Sequence, residues 1–86
     1  MQTTEAFQLH ETIQITLKLF ATFRIGRFTV ASREYTKGTN IATVIRELLI
    51  PEGQIGTIML NSRHADPDRE LNDGDILAIF PLVGGG

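Results

Sequence analysis

Residues Ile13-Gln14-Ile15-Thr16-Leu17-Lys18-Leu19 alternate apolar and polar side chains without a fault. Period two is the period of a strand, so Ile13, Ile15, Leu17 and Leu19 share one face and Gln14, Thr16 and Lys18 the other. One face suits a core and the other suits water, so the sheet holding this strand is covered on one side only. The cover must come from elsewhere in the chain, and one stretch offers it clearly. Ile41, Val44, Ile45, Leu48 and Leu49 fall at i, i+3, i+4, i+7 and i+8, with Thr43, Arg46 and Glu47 opposite, which predicts an amphipathic helix. Thr39 or Asn40 can cap its start with a side-chain oxygen. Ile50-Pro51 ends it, because the residue before proline avoids helical geometry.

The other elements follow from their punctuation. Phe20 to Gly26 breaks the alternation, with Gly26 as the turn. Arg27 to Tyr35 resumes with Phe28 and Val30 as a second strand, and a short connection predicts an antiparallel hairpin. Gly53 and Gly56 mark the loop out of the helix. Thr57 to Asn61 reads as a third strand, in which Met59 fills core or sheet. Ser62 to Asp75 is polar and turn-rich, with Leu71 as its one large apolar residue, predicted to plug the core. Asp66, Asp68, Glu70, Asp73 and Asp75 lack the glycine and glutamate spacing of a calcium loop. They are read as turn residues, and no metal site is assigned. Asn72-Asp73-Gly74-Asp75 turns into a last strand, Ile76 to Phe80. If Leu77 and Ile79 face the helix, then Ala78 and Phe80 face away. Pro81 has no N–H to give a ladder, so pairing is expected to stop there and Leu82 and Val83 to project.

Eighty-six residues make one small domain. There is no cysteine, which removes disulfides, thiolate ligands and cysteine nucleophiles from this chain. A net charge of −2 gives no basic footprint for nucleic acid. No apolar run reaches the roughly 18 residues of a membrane span. Residues 1–12 are polar and aperiodic, with Phe7 and Leu9 as their large apolar side chains after Met1. They are expected to form a mobile extension rather than a secretory signal, with His10 solvated. A cytoplasmic monomer is the expectation.

The chain closes on Phe80-Pro81-Leu82-Val83-Gly84-Gly85-Gly86. At an average glycine usage of about 7%, three in succession arise by chance on the order of a few times in ten thousand. Glycines carry no side chain to pack and are the costliest residues to order, so 84–86 is expected to be a thin, flexible tail. No Ser–His–Asp grouping accompanies it.

The order strand, strand, helix, strand, loop with at most a short strand, strand gives an α+β layer pair. A mixed sheet of four to five strands is covered by one helix, the β-grasp or ubiquitin-like arrangement. Domain limits of 13–83 for the body and 84–86 for the tail follow. On that frame the ending, an aromatic, a proline, valine and Gly-Gly, resembles the bacterial sulfur-carrier proteins of the MoaD/ThiS family. Leu71-Asn72-Asp73-Gly74-Asp75 resembles that family's turn before its last strand, and Leu60-Asn61 its third-strand end. Leu19-Phe20-Ala21-Thr22-Phe23-Arg24 resembles the molybdopterin-synthase branch. Leu82 stands where a second proline is common, and Ser62 where a glycine is common.

The resemblance implies a carrier rather than an enzyme. The Gly86 carboxylate would be adenylated by an ATP-using activating enzyme and converted to a thiocarboxylate. Gly84 and Gly85 would form the tail, and Phe80, Pro81, Leu82 and Val83 the partner-binding root. No cofactor is implied on the chain itself. The sulfur acceptor would be the large subunit of molybdopterin synthase, or a thiazole synthase if the thiamine branch applies. A protein modifier joined to lysines through Gly86 would use the same tail, and a β-grasp binding module would not need it.

Overall fold

A computed structural model describes residues 11–83. The readings made for residues 1–10, including Phe7, Leu9 and His10, and for Gly84, Gly85 and Gly86, lie outside the described residues. The first strand, β1, spans Thr12–Leu19, so it opens one residue inside the stretch read as an extension. Glu11 is also tied in, its carbonyl accepting from the Lys37 N–H at 2.8 Å.

After β1 come a 3-10 turn at Ala21–Arg24, β2 at Val30–Thr36 and helix α1 at Ile41–Glu47. A second 3-10 turn at Glu52–Gln54, β3 at Ile55–Leu60, β4 at Arg63–His64 and β5 at Ile76–Pro81 complete the described chain. The five strands form one sheet in the order β2-β1-β5-β3-β4. β1 and β5 are parallel, and every other neighbouring pair is antiparallel. The first and last strands are thus central, with the helical crossover between them.

The alternation in β1 is realised in full: Ile13, Ile15, Leu17 and Leu19 are buried. They meet Leu77 and Ile79 of β5, Ile58 and Leu60 of β3, and Ile41, Val44, Ile45 and Leu48 of the helical segment in one core. Each such side chain stabilises the fold by roughly 1.5–3 kcal/mol. Leu71 is fully buried, the plug its sequence context predicts.

Asn40 is the cap, its Oδ1 accepting from the Thr43 N–H at 2.9 Å. The N–H groups of Ile41 and Ala42 find the carbonyls of Arg69 (3.0 Å) and Pro67 (2.7 Å). The polar loop therefore satisfies donors that the first helical turn leaves free.

Leu49 departs from the helical pattern. It has φ +60° and is 81% exposed. Its N–H donates to Arg46 O, and the Ile50 N–H reaches back to Ile45 O. That is a Schellman ending, in which the residue after the cap turns left-handed and the next apolar residue returns to the core. Ile50, not Leu49, is buried. Arg27 completes the ending: its guanidinium donates to the carbonyls of Leu48 (2.9 Å), Leu49 (3.1 Å) and Phe23 (3.1 Å).

This anchoring explains a second departure. The β1–β2 connection runs over residues 20–29 rather than being short, because Phe23 is buried as a plug and Arg27 is held by the helix end. β2 accordingly starts at Val30, which is 56% exposed, while Ala31, Arg33 and Tyr35 take the inner face. Phe28 precedes the strand and packs against the core from the loop, under the Arg33 guanidinium at 5.1 Å.

Candidate functional site

β5 runs through the middle of the sheet and carries its end out beside the 3-10 turn at Ala21–Arg24 and the start of β3. Leu77 and Ile79 are fully buried, so Ala78 and Phe80 face away from the helix, as the alternation predicts. Phe80 is nonetheless half-buried, because the Phe20 ring stacks on it at 4.1 Å between centroids and 12° between planes. An aromatic in this position gains packing without leaving the outer face. The signal for Phe20 was present in the sequence: it continues the parity of Gln14, Thr16 and Lys18, so an aromatic falls on the wet face.

One backbone hydrogen bond follows Pro81 among the described residues. Pro81 faces Ile55, and the Leu82 N–H donates to the Gln54 carbonyl at 2.9 Å. The strand and its register end at Pro81 as expected, and the one bond beyond them is made by Leu82, which has the N–H that proline lacks. The root of the tail is therefore held one residue beyond the proline. Leu82 and Val83 then project as expected, 64% and 89% exposed.

The outer face beside this root forms an open groove of ≈ 490 Å³. Met59, Thr57 and His64 line it together with Phe80, Pro81 and Leu82. Register explains the grouping. Met59 pairs with Ala78 on one side and His64 on the other, and Thr57 pairs with Phe80. Met59 is thus outer-face lining, not core. Phe80, Pro81, Leu82 and Val83 come together as one surface, joined by Phe20, Met59 and His64, which the sequence reading did not assign.

Two of the acidic residues singled out in the loop, Asp73 and Asp75, have local tasks. Asp75 is 9% exposed and accepts from Asn61 Nδ2 (2.9 Å) and the Asn72 N–H (2.8 Å). Asp73 accepts from the Gln14 N–H at 2.7 Å. Among the described residues no group of three or more His, Asp or Glu side chains is placed to hold a metal ion. No helix among them is long and apolar enough to cross a membrane.

A five-stranded mixed sheet with a parallel central pair and one covering helix is the ubiquitin-like, β-grasp class of domain. Within that class the ThiS family model matches residues 17–86, and the chain belongs to the ThiS family.

Solved structures agree in fold. The putative molybdopterin converting factor subunit 1 of Pyrococcus furiosus is 28% identical, with 83% of this chain and 99% of that one aligned at TM-score 0.66. Small archaeal modifier protein 1 of Haloferax volcanii is 18% identical over 83% and 99% of the two chains, TM-score 0.68. A chain in the Helicobacter pylori complex of molybdopterin-converting factor subunits 1 and 2 is 21% identical over 86% and 100%, TM-score 0.59. A search of curated protein sequences finds no significant match.

Proposed function

We propose that this chain is a sulfur carrier for molybdopterin assembly, working through the carboxylate of Gly86. The observation that carries the reading is the end of β5. The central strand delivers Phe80 and Pro81 to the rim of an apolar groove, and exposes Leu82 and Val83 immediately before Gly84-Gly85-Gly86. A rigid, apolar root followed by glycines is the form needed to dock on a partner and reach a buried active site. A channel that admits backbone but no Cβ atom passes only glycine.

A carboxylate is a poor electrophile. An activating enzyme would join it to the α-phosphate of ATP, with release of pyrophosphate. The terminal sulfur of a persulfide donor would then displace AMP to give an acyl disulfide, and a second thiol of the donor system would cleave its S–S bond, leaving the thiocarboxylate on Gly86 and a disulfide on the donor. The transition states carry phosphoryl charge that the partner, holding nucleotide and metal, is placed to stabilise. This chain would contribute the acyl group and the docking surface. Among the described residues that line the groove, Thr57 and His64 are the ones with polar side chains.

The molybdopterin branch is favoured by the resemblance of Leu19 to Arg24 and by the name of the 28%-identical Pyrococcus furiosus protein. The same tail would serve thiazole synthesis or conjugation to lysines. The partners on this reading are an activating enzyme and the large synthase subunit, the latter by analogy with the two-subunit Helicobacter pylori complex.

The test is intact mass spectrometry of the protein recovered from its native host, with and without its activating enzyme. A fraction heavier by the exchange of one oxygen for one sulfur, localised to Gly86, is expected. A free carboxylate alone, with enzyme, ATP and sulfur donor all present, refutes the carrier. A branched Gly86–lysine peptide in its place would establish the modifier.

A further inference from the structure

Gly56 lies in β3 where the register against β5 slips: Ile55 faces Pro81, and Thr57 faces Phe80. Its backbone is outside the left-handed region, so its conformation does not call for glycine. Its neighbours do. A Cβ at position 56 would lie 2.7 Å from the Pro81 carbonyl oxygen and 3.0 Å from both Leu82 Cα and the Pro81 carbonyl carbon. Carbon–oxygen contacts ordinarily sit at about 3.3 Å or more. The atoms in the way are main chain, which cannot rotate aside as a side chain would. They are also the residues that the Leu82 N–H bond to Gln54 O holds against the entry to β3. Any larger residue at 56 therefore lifts Pro81 and Leu82 off the sheet.

We propose that Gly56 is a positioning residue for the tail: its missing side chain lets the chain stay clamped to the sheet through Leu82, which sets where and at what length the terminal residues leave the domain. The inference rests on the carrier reading above. With the clamp closed, Val83 to Gly86 can span at most about 14 Å from Leu82. With it open, the last anchor is the Phe20–Phe80 stack, and the free segment begins at Pro81 and reaches about 21 Å. Lengthening a tether from four to six residues lowers effective concentration about twofold by the −3/2 power. Losing the approach direction costs more, since misplacement by about 1 Å can reduce turnover by about 100-fold. Phe20, Phe80 and Met59 stay in place, so the docking surface is disturbed only at Pro81 and the residues after it.

The experiment compares Gly56→Ala with the wild-type chain in two readouts. The first is amide hydrogen exchange at Leu82, which needs no partner. The second is steady-state adenylation by the activating enzyme purified from the same host, followed as ATP–pyrophosphate exchange. Leu82 exchange is expected to accelerate at least tenfold. The kcat should fall at least threefold, and by a larger factor than KM for the carrier rises.

Protected Leu82 in the variant overturns the steric argument. Accelerated exchange with unchanged kcat overturns the positioning role. Should Gly56→Ala not fold, one glycine inserted after Val83 keeps the clamp and changes only the free length. The longer tether alone lowers effective concentration about 1.4-fold, and overshoot of the carboxylate by one residue, about 3.5 Å, is expected to bring the fall in kcat to at least twofold; an unchanged kcat overturns the proposal. A wild-type chain that is not adenylated at all refutes the carrier reading and the positioning role with it, while Leu82 exchange still decides whether the clamp exists.

Discussion

Replacing Phe80 by alanine tests how the tail root is built. Phe80 projects from the outer face of β5, half-buried, and its only aromatic partner among the described residues is Phe20, stacked at 4.1 Å. Truncating a core Phe costs about 3–5 kcal/mol. Here the core lies on the other side of the strand, where Leu77 and Ile79 are untouched. The loss is confined to the stack, about 0.5–1.5 kcal/mol, and to half the apolar area of a ring, so about 1.5–2.5 kcal/mol in all is expected. At about 4–8 °C per kcal/mol for a domain of this size, Tm should fall by about 6–20 °C with the fold intact. Phe20→Ala should behave alike.

The decisive quantity is the coupling between them. In a double-mutant cycle followed by urea unfolding, the two losses should fall short of additivity by about 0.5–1.5 kcal/mol. A coupling within about 0.3 kcal/mol of zero would mean that the rings do not touch in solution. A Phe80→Ala chain that is unfolded at 25 °C would mean that Phe80 belongs to the core, against the alternation from which its position was argued. On the proposed function the same variant also weakens partner docking, so binding should drop by more than the loss of stability accounts for.

Two further outcomes follow from other parts of the structure. Leu49→Gly should stabilise the domain by about 0.5–1 kcal/mol, because relief of a left-handed leucine, about 1–2 kcal/mol, outweighs the added freedom of the unfolded glycine. Thermal unfolding checks this, and a lower Tm would show that Leu49 makes packing contacts despite its exposure. Burial first, and then the hydrogen bond its hydroxyl donates to Glu47 Oε1, push the Tyr35 phenol above its ordinary value of 10.0. The folded state then holds a proton that the unfolded state releases, so stability from this group is intact below pH 10 and declines as pH rises above it. Tyr35→Phe should flatten that alkaline limb in a series of melts, and an unchanged limb would assign the decline to other groups.

What could be read from the sequence was whatever repeats within a short window. The period of two in β1 placed Ile13, Ile15, Leu17 and Leu19 in the core, the helical period placed Ile41, Val44, Ile45 and Leu48 there, and in the uniformly apolar β5 strand geometry fixed only that Leu77 and Ile79 share a face opposite Ala78 and Phe80. Turn chemistry located Gly26 and the Asn72–Asp75 turn and narrowed the helix cap to Thr39 or Asn40, and composition alone singled out Leu71 and the glycine ending. These are local properties, set by side-chain direction on a regular backbone. Tertiary structure decided the rest, because each remaining feature depends on a residue distant in the chain. Leu49 continues the helical period but is turned out, since Arg27 and the returning Ile50 close the helix one residue earlier. Phe20 becomes part of the tail root only when β1 and β5 lie side by side. Gly56 looks like one more loop glycine until β3 pairs with β5 and Pro81 and Leu82 occupy the space where its side chain would be.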